Sequence, residues 1–198
     1  MTGTEAHPWS GALPKRLHHE ARGAGYRLWL PPGGEGTWIA INERYVRRWQ
    51  ASWQPVIPGR RGLNPRGIVR ASFSIPGAGR ITVLASHYLP RRMHDARAAN
   101  RRLTRALATD ARRFAQGTRL VFFGGDVNTR SHSPFPKTAL QPCWARPPGV
   151  DVIANWRHDT RVRLRSARVL PLRLHSDHRA ITATYSIRTI RTTKGRPR

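Results

Sequence analysis

Acidic and imidazole side chains stand at the ends of several apolar runs: His87, Asp126 with Asn128, Asp151, and Asp177 with His178. The chain has only 10 carboxylates in 198 residues, so this placement carries information. Carboxylates bind hard cations, imidazoles transfer protons, and an asparagine amide can donate to an anion. Strand ends on a rigid sheet can gather such groups at one rim although they are far apart in sequence. Each cluster also has an ordinary explanation on its own. Gly-Asp-Val-Asn at 125–128 reads as a turn in which Asp126 or Asn128 bonds its own backbone, and Ser-Asp-His at 176–178 reads as another. His87 reads equally as a satisfied histidine at a strand end.

The elements that must position these groups follow from patterning. A helix capped by Ser10 carries Pro14 in its first turn and Leu13, Leu17 and Ala21 on one face, and ends at Gly23 and Gly25. Runs 26–30, 37–42 and 45–49 read as consecutive strands of one antiparallel sheet. Runs 66–75 and 80–86 flank Pro76-Gly77-Ala78-Gly79 as a hairpin. From Met93, Ala96, Asn100, Leu103, Leu107, Ala111 and Phe114 recur every three or four residues, with Arg97, Arg101, Arg105 and Arg112 elsewhere on the wheel. This predicts a long helix closed by Gly117. Strands follow at 119–123, 150–154, 162–170 and 180–187, with Pro-rich loop over 131–148. The pattern predicts an α+β fold, a two-sheet sandwich with helices outside.

The formal charge is +26, from 36 Lys+Arg against 10 Asp+Glu, and nearly all the cations are arginine. Arginine pairs bidentately with phosphate and stacks on bases, so a nucleic-acid partner, DNA or RNA, is expected. Membrane-surface binding is the weaker alternative, because no basic amphipathic helix with a bulky apolar face stands out. No apolar run approaches the ~20 residues that span a bilayer, and residues 1–10 lack a secretory apolar core, which predicts a cytoplasmic location. Cys143 is the single cysteine, which argues against a disulfide or a Cys-rich zinc site and for a packing role.

Taken in order, four segments resemble the endonuclease/exonuclease/phosphatase superfamily of DNase I-like proteins. They are Ile81 to His87, Leu120 to Asn128 with its Gly-Asp-x-Asn, Gly149 to Ile153 with its Ile-Asp-x-Ile-like element, and His175 to Ile181 with its Ser-Asp-His. The resemblance implies a four-layer α/β/β/α sandwich of two mainly antiparallel sheets over residues 1–187, followed by a basic tail at 188–198. The family's first strand, which carries a metal-site asparagine, has no counterpart here. Gly3-Thr4-Glu5-Ala6 resembles what is left of the second, making Glu5 a candidate metal ligand.

The implied reaction is attack of water on a phosphoester with Mg²⁺, or Mn²⁺, held by Glu5, Asp126 and Asp177. By the same resemblance Asp126 orients or deprotonates the water and Asn128 holds the phosphate. His178 acts as base or stabilises charge, and His87, oriented by Asp151, binds phosphate or protonates the leaving oxygen. Arg70, Arg130 and Arg179 are expected near flanking phosphates, and Trp29 and Trp38 in the core. Two other readings stay open: a catalytically impaired domain that binds nucleic acid, and a phosphatase acting on a small or lipid phosphate. The breadth of positive charge disfavours the second.

Overall fold

The computed structural model describes residues 1–3, 12–32, 36–60, 64–117, 119–129, 139–143, 151–171 and 180–189. The predicted long helix is α2 (Ala96–Gln116), with Ala96, Ala99, Leu103, Leu107 and Ala111 buried along one stripe. The shorter one is α1 (Ala12–Gly23). The predicted hairpin is β5 (Arg66–Ile75) paired with β6 (Gly79–His87), from Val69 opposite Ala85 to Ile75 opposite Gly79.

A six-stranded sheet is the backbone of the fold. Its order is β4 (Arg47–Ile57), β5, β6, β7 (Leu120–Asp126), β9 (Asp151–Trp156), β8 (Leu140–Cys143). Only β6 and β7 run parallel, with α2 as the crossover between them; the other neighbours are antiparallel. A second sheet has the order β1 (Thr2–Gly3), β3 (Trp38–Asn42), β2 (Tyr26–Trp29). A ribbon of β10 (Val162–Val169) and β11 (Ile181–Ile187) packs beside β7, where Tyr185 meets the Phe122 ring edge-on at 5.0 Å.

Alternation along the strands builds the layers. Ile68, Leu84, Val121 and Phe123 point outward to α2, while Val69, Ala71 and Ala85 point inward to Ile39 and Ile41 of the three-stranded sheet. Ala40 and Leu28, on the far face of that sheet, receive Ala21 and Leu17 of α1. The result is α1, small sheet, large sheet, α2: a four-layer α/β/β/α sandwich, as the sequence predicts. Trp29, half-buried, packs against the inter-sheet cluster, and Trp38, also half-buried, against the cluster under α1.

One expectation is overturned. The strand expected at 45–49 does not continue the sheet of β2 and β3; after the turn at 43–45 it crosses to the large sheet and runs on to Ile57. The reason is its odd-numbered face, where Trp49, Ala51 and Trp53 pack between the sheets. These aromatics face the small sheet rather than lie beside it. Strand β1 lies where the resemblance puts the remnant of the family's second strand, whereas β8 falls in the stretch 131–148 expected to be loop. Strand β8 contains Pro142, which an edge strand tolerates because one side of its ladder is unused.

Two glycines near the end of β7 are fixed by close approach. A Cβ on Gly124 would sit 2.2 Å from Thr2 Oγ1 of β1, and one on Gly125 would sit 2.1 Å from the carbonyl oxygen of Ser86. A threonine side chain can shift, but the Ser86 backbone is held in the parallel β6–β7 ladder. Gly125→Ala is therefore expected to cost at least ~3 kcal/mol, the upper end for overpacked sites, and Gly124→Ala distinctly less. Paired urea unfolding curves check the ranking, and equal stability of the two variants would contradict it.

Candidate functional site

The topology decides which groups meet. Because β6 and β7 are parallel, their last residues lie side by side, His87 opposite Asp126. Because β9 runs antiparallel to β7, its first residue reaches the same rim, Asp151 opposite Asp126. Directly paired residues share a face, so the three form a row on the inner face of the large sheet, spaced by about 5 Å per strand. Asp126 stands in the middle, between His87 and Asp151.

Within the row, His87 and Asp126 are buried, at 3% and 1% exposure, with His87 Nε2 3.4 Å from Asp126 Oδ2. The other ring nitrogen, Nδ1, lies 2.6 Å from Nη1 of Arg66. A guanidinium has donors only, so Nδ1 accepts and the ring proton sits on Nε2, facing the carboxylate. Asp126 Oδ1 accepts the backbone N–H of Asn128 at 2.6 Å, and Oδ2 accepts its side-chain amide at 3.1 Å. That amide also donates to the Tyr88 carbonyl at 2.7 Å. Asn128 adopts φ 47°, a left-handed conformation that asparagine tolerates better than most residues. The turn reading of Gly-Asp-Val-Asn is thus correct, and the turn presents its carboxylate to His87.

The loop after β6 is held by α2. Asn100, which stands in the helix's apolar stripe, clamps Leu89 through both halves of its amide, each at 2.9 Å. Tyr88 is buried and bonded to Thr104 at 3.2 Å, and burial pushes its phenol up to about 12. Beside this loop a cleft of about 700 Å³ runs along α2, lined by Arg91, Arg97, Arg101 and Arg105, and reaches Asn128 and Thr129. Arg97, Arg101 and Arg105 recur every fourth residue, one stripe of the helix. The cleft therefore opens at the end of β7.

Of the residues singled out from sequence, the structure brings together His87, Asp126 and Asn128, with Asp151 in the same row. Glu5, Asp177 and His178 lie outside the described residues, as do Arg130 and Arg179. Among the described residues no group of three metal-ligating side chains is assembled. The rim does offer the carboxylates of Asp126 and Asp151 and the amide oxygen of Asn128. These are hard donors of the kind Mg²⁺ accepts, and there is no thiolate set that would favour zinc.

Arg70 is not at the site. It lies on the outer face of β5 and makes a bidentate pair with Asp110 of α2, at 2.6 and 2.8 Å. Cys143 is buried, and burial raises its thiol pKa, in keeping with a packing role. Arg66 is the functional candidate missed from the sequence, where nothing separates it from the other arginines. The one available signal was its place at the start of the strand that pairs with the His87 strand. No helix among the described residues is long and apolar enough to cross a membrane.

No family profile matches the sequence, and comparison with curated proteins finds no match. Solved structures do match. A humanized D. rerio TDP2 superposes with TM-score 0.69 at 16% identity, over 93% of this chain and 83% of that one. The human Nocturnin catalytic domain gives 0.69 at 14%, over 94% and 79%. An endonuclease/exonuclease/phosphatase from Beutenbergia cavernae gives 0.64 at 17%, over 89% of this chain and 57% of that one. With these shared layers and this topology, the chain has the DNase I-like fold of the endonuclease/exonuclease/phosphatase superfamily.

Proposed function

We propose that the chain is a metal-dependent phosphodiester hydrolase that acts on nucleic acid. The observation that carries this reading is the buried pair of His87 and Asp126, tied to Asn128, a residue that also lines the arginine-rich cleft along α2. Asp126, with Glu5 and Asp177, would hold Mg²⁺ or Mn²⁺, which when bound supplies charge neutralisation on the phosphate and a more acidic water. Asp126 orients the attacking water and takes its proton. Asn128, pinned by its amide to the Tyr88 carbonyl, positions that carboxylate and can exchange its 3.1 Å contact for a phosphate oxygen.

His87, with Arg66 on its far nitrogen, holds its Nε2 proton toward Asp126, and a phosphate oxygen or the leaving oxygen can accept that proton by displacing the 3.4 Å contact. Asp151 extends the acidic row, and by resemblance Asp177 and His178 complete the site. A nucleic-acid substrate is supported by the charge of +26 and by the fold likeness to D. rerio TDP2, whose structure was solved with a single-strand DNA product. The test is supercoiled plasmid and single-stranded substrates incubated with Mg²⁺, with and without chelator. Chelator-sensitive cleavage is expected; a small phosphomonoester turned over in preference to all of them would instead favour the phosphatase reading.

The cleft supplies a second, graded expectation. Each arginine that neutralises one phosphate contributes to the slope of log affinity against log salt, by ~0.9 for duplex DNA and ~0.7 for a single strand. Replacing Arg97, Arg101 and Arg105 together by alanine is expected to flatten that slope by about 2 for single-stranded substrate, at ~0.7 per phosphate neutralised. Hydrolysis of a dinucleotide, too short to reach along α2, should be little changed. Fluorescence anisotropy across a salt series measures the slope, and an unaltered one would remove the cleft from the binding path.

A further inference from the structure

The strand face beneath the C-terminal half of α2 is built for something other than packing. On β5 that face reads Ile68, Arg70, Ser72, Ser74, and on β6, in register, Leu84, Thr82, Arg80. A face covered by a helix is ordinarily apolar throughout. Here it turns polar beyond Ile68 and Leu84, and a pocket of about 760 Å³ opens where helix packing ends.

Four arginines line it: Arg48, Arg80, Arg113 and Arg119, in addition to Arg70, whose charge Asp110 takes. Arg119 donates to Ser72 Oγ at 3.1 Å, and that hydroxyl lies 2.9 Å from Thr82 Oγ1. Arg113 and Arg119 both stack on Phe114, at 5.7 and 5.3 Å from its centroid, so their guanidiniums are held near each other. Burial and the nearby Arg80 and Arg113 lower the pKa of Arg119.

No carboxylate among the described residues lines this pocket. Glu20, Glu43, Asp95 and Asp159 each pair with an arginine elsewhere, Asp126 with His87, and Asp110 with the pocket's own Arg70. A β-bulge adds to the arrangement: Arg47 opposes Ser74 and Gln50 opposes Ser72, leaving one extra residue, and Arg48 takes φ 51° there. A left-handed conformation costs a non-glycine residue energy, and bulges commonly re-aim a side chain. This one belongs to the same arginine cluster.

We propose that this pocket is a second anion site, separate from the catalytic row, which takes a phosphate group: that of a nucleic-acid backbone or of a free polyphosphate. It lies at the opposite ends of β6 and β7 from His87 and Asp126, about 20 Å away at ~3.3 Å per strand residue. Converging guanidiniums with adjacent hydroxyls match the charge and acceptors of phosphate, and the ligand relieves the repulsion among them.

The experiment must separate a built site from the general field of a chain at +26. Calorimetric titration with pyrophosphate, and separately with a single-stranded oligonucleotide, is done at ~150 mM salt, where distant exposed charges are screened. Arg80→Gln with Arg119→Gln is expected to weaken at least one ligand by about tenfold or more, the loss of a charge-assisted contact. Arg22→Gln with Arg168→Gln removes the same charge from exposed positions elsewhere and should change either ligand by less than about twofold. A loss confined to pyrophosphate identifies a free phosphate compound, and a loss with the oligonucleotide identifies the nucleic-acid backbone. Equal weakening by both variant pairs, or no saturable binding of either ligand, overturns the proposal. Arg80→Gln alone, at an exposed position, repeats the comparison without touching the Ser72 contact; hydrolysis plays no part in the readout.

Discussion

Asp126→Asn is expected to reduce Mg²⁺-dependent cleavage of nucleic acid by about 10³-fold, within the range for removing a positioned acid or base, while leaving the protein folded. The amide keeps one oxygen to accept the Asn128 backbone N–H. It places an NH₂ where Oδ2 accepted the Asn128 side chain and faced His87 Nε2, so donors meet donors. Such a buried mismatch costs about 1–3 kcal/mol, or a fall in Tm of a few degrees for a chain of this size. Activity therefore falls far more than stability. Cleavage rates and thermal unfolding of the same preparation measure both, and a variant that cleaves at the wild-type rate would remove Asp126 from the chemistry.

The rim was legible in the sequence because it sits at punctuation. The apolar run of β7 stops at Gly124-Gly125-Asp126, and the run of β6 stops at His87, so both ends could be read without knowing the sheet order. That they lie side by side was not legible: it depends on β6 and β7 being parallel, which is a property of the α2 crossover. Asp126 standing between His87 and Asp151 is likewise a fact of strand order, not of spacing along the chain.

Strand β4 was misread because aromatic alternation reports which side of a strand is buried and not which sheet owns it. Trp49, Ala51 and Trp53 bury against the small sheet while the backbone pairs with β5. The same limit hid the second pocket. Ser72, Ser74, Arg80 and Thr82 look like an ordinary solvent face of a hairpin until α2 is laid across it. In a chain this rich in arginine, neither Arg66 nor Arg119 could be distinguished before neighbours were known, since what sets them apart is the groups they touch.

The tie between α2 and the large sheet yields the largest expected change in stability. Arg70 Nε and Nη2 reach Asp110 Oδ2 and Oδ1 at 2.6 and 2.8 Å, with side-chain exposures of 17% and 6%. Removing one partner of such a buried pair leaves the other charge without compensation and costs about 3–5 kcal/mol. Asp110→Ala is therefore expected to lower Tm by roughly 6–20 °C, taking 2–4 °C per kcal/mol for a chain of this length. Glu20→Ala, which breaks the exposed Arg16–Glu20 pair on α1, should leave Tm almost unchanged. Replacing both Arg70 and Asp110 by leucine should recover most of the loss, because two apolar groups need no pairing where one orphaned charge does. Calorimetric unfolding of the three variants decides it. If Asp110→Ala melted within a degree of the parent, the pair would be solvated, and the polar layer under α2 would be surface rather than interior.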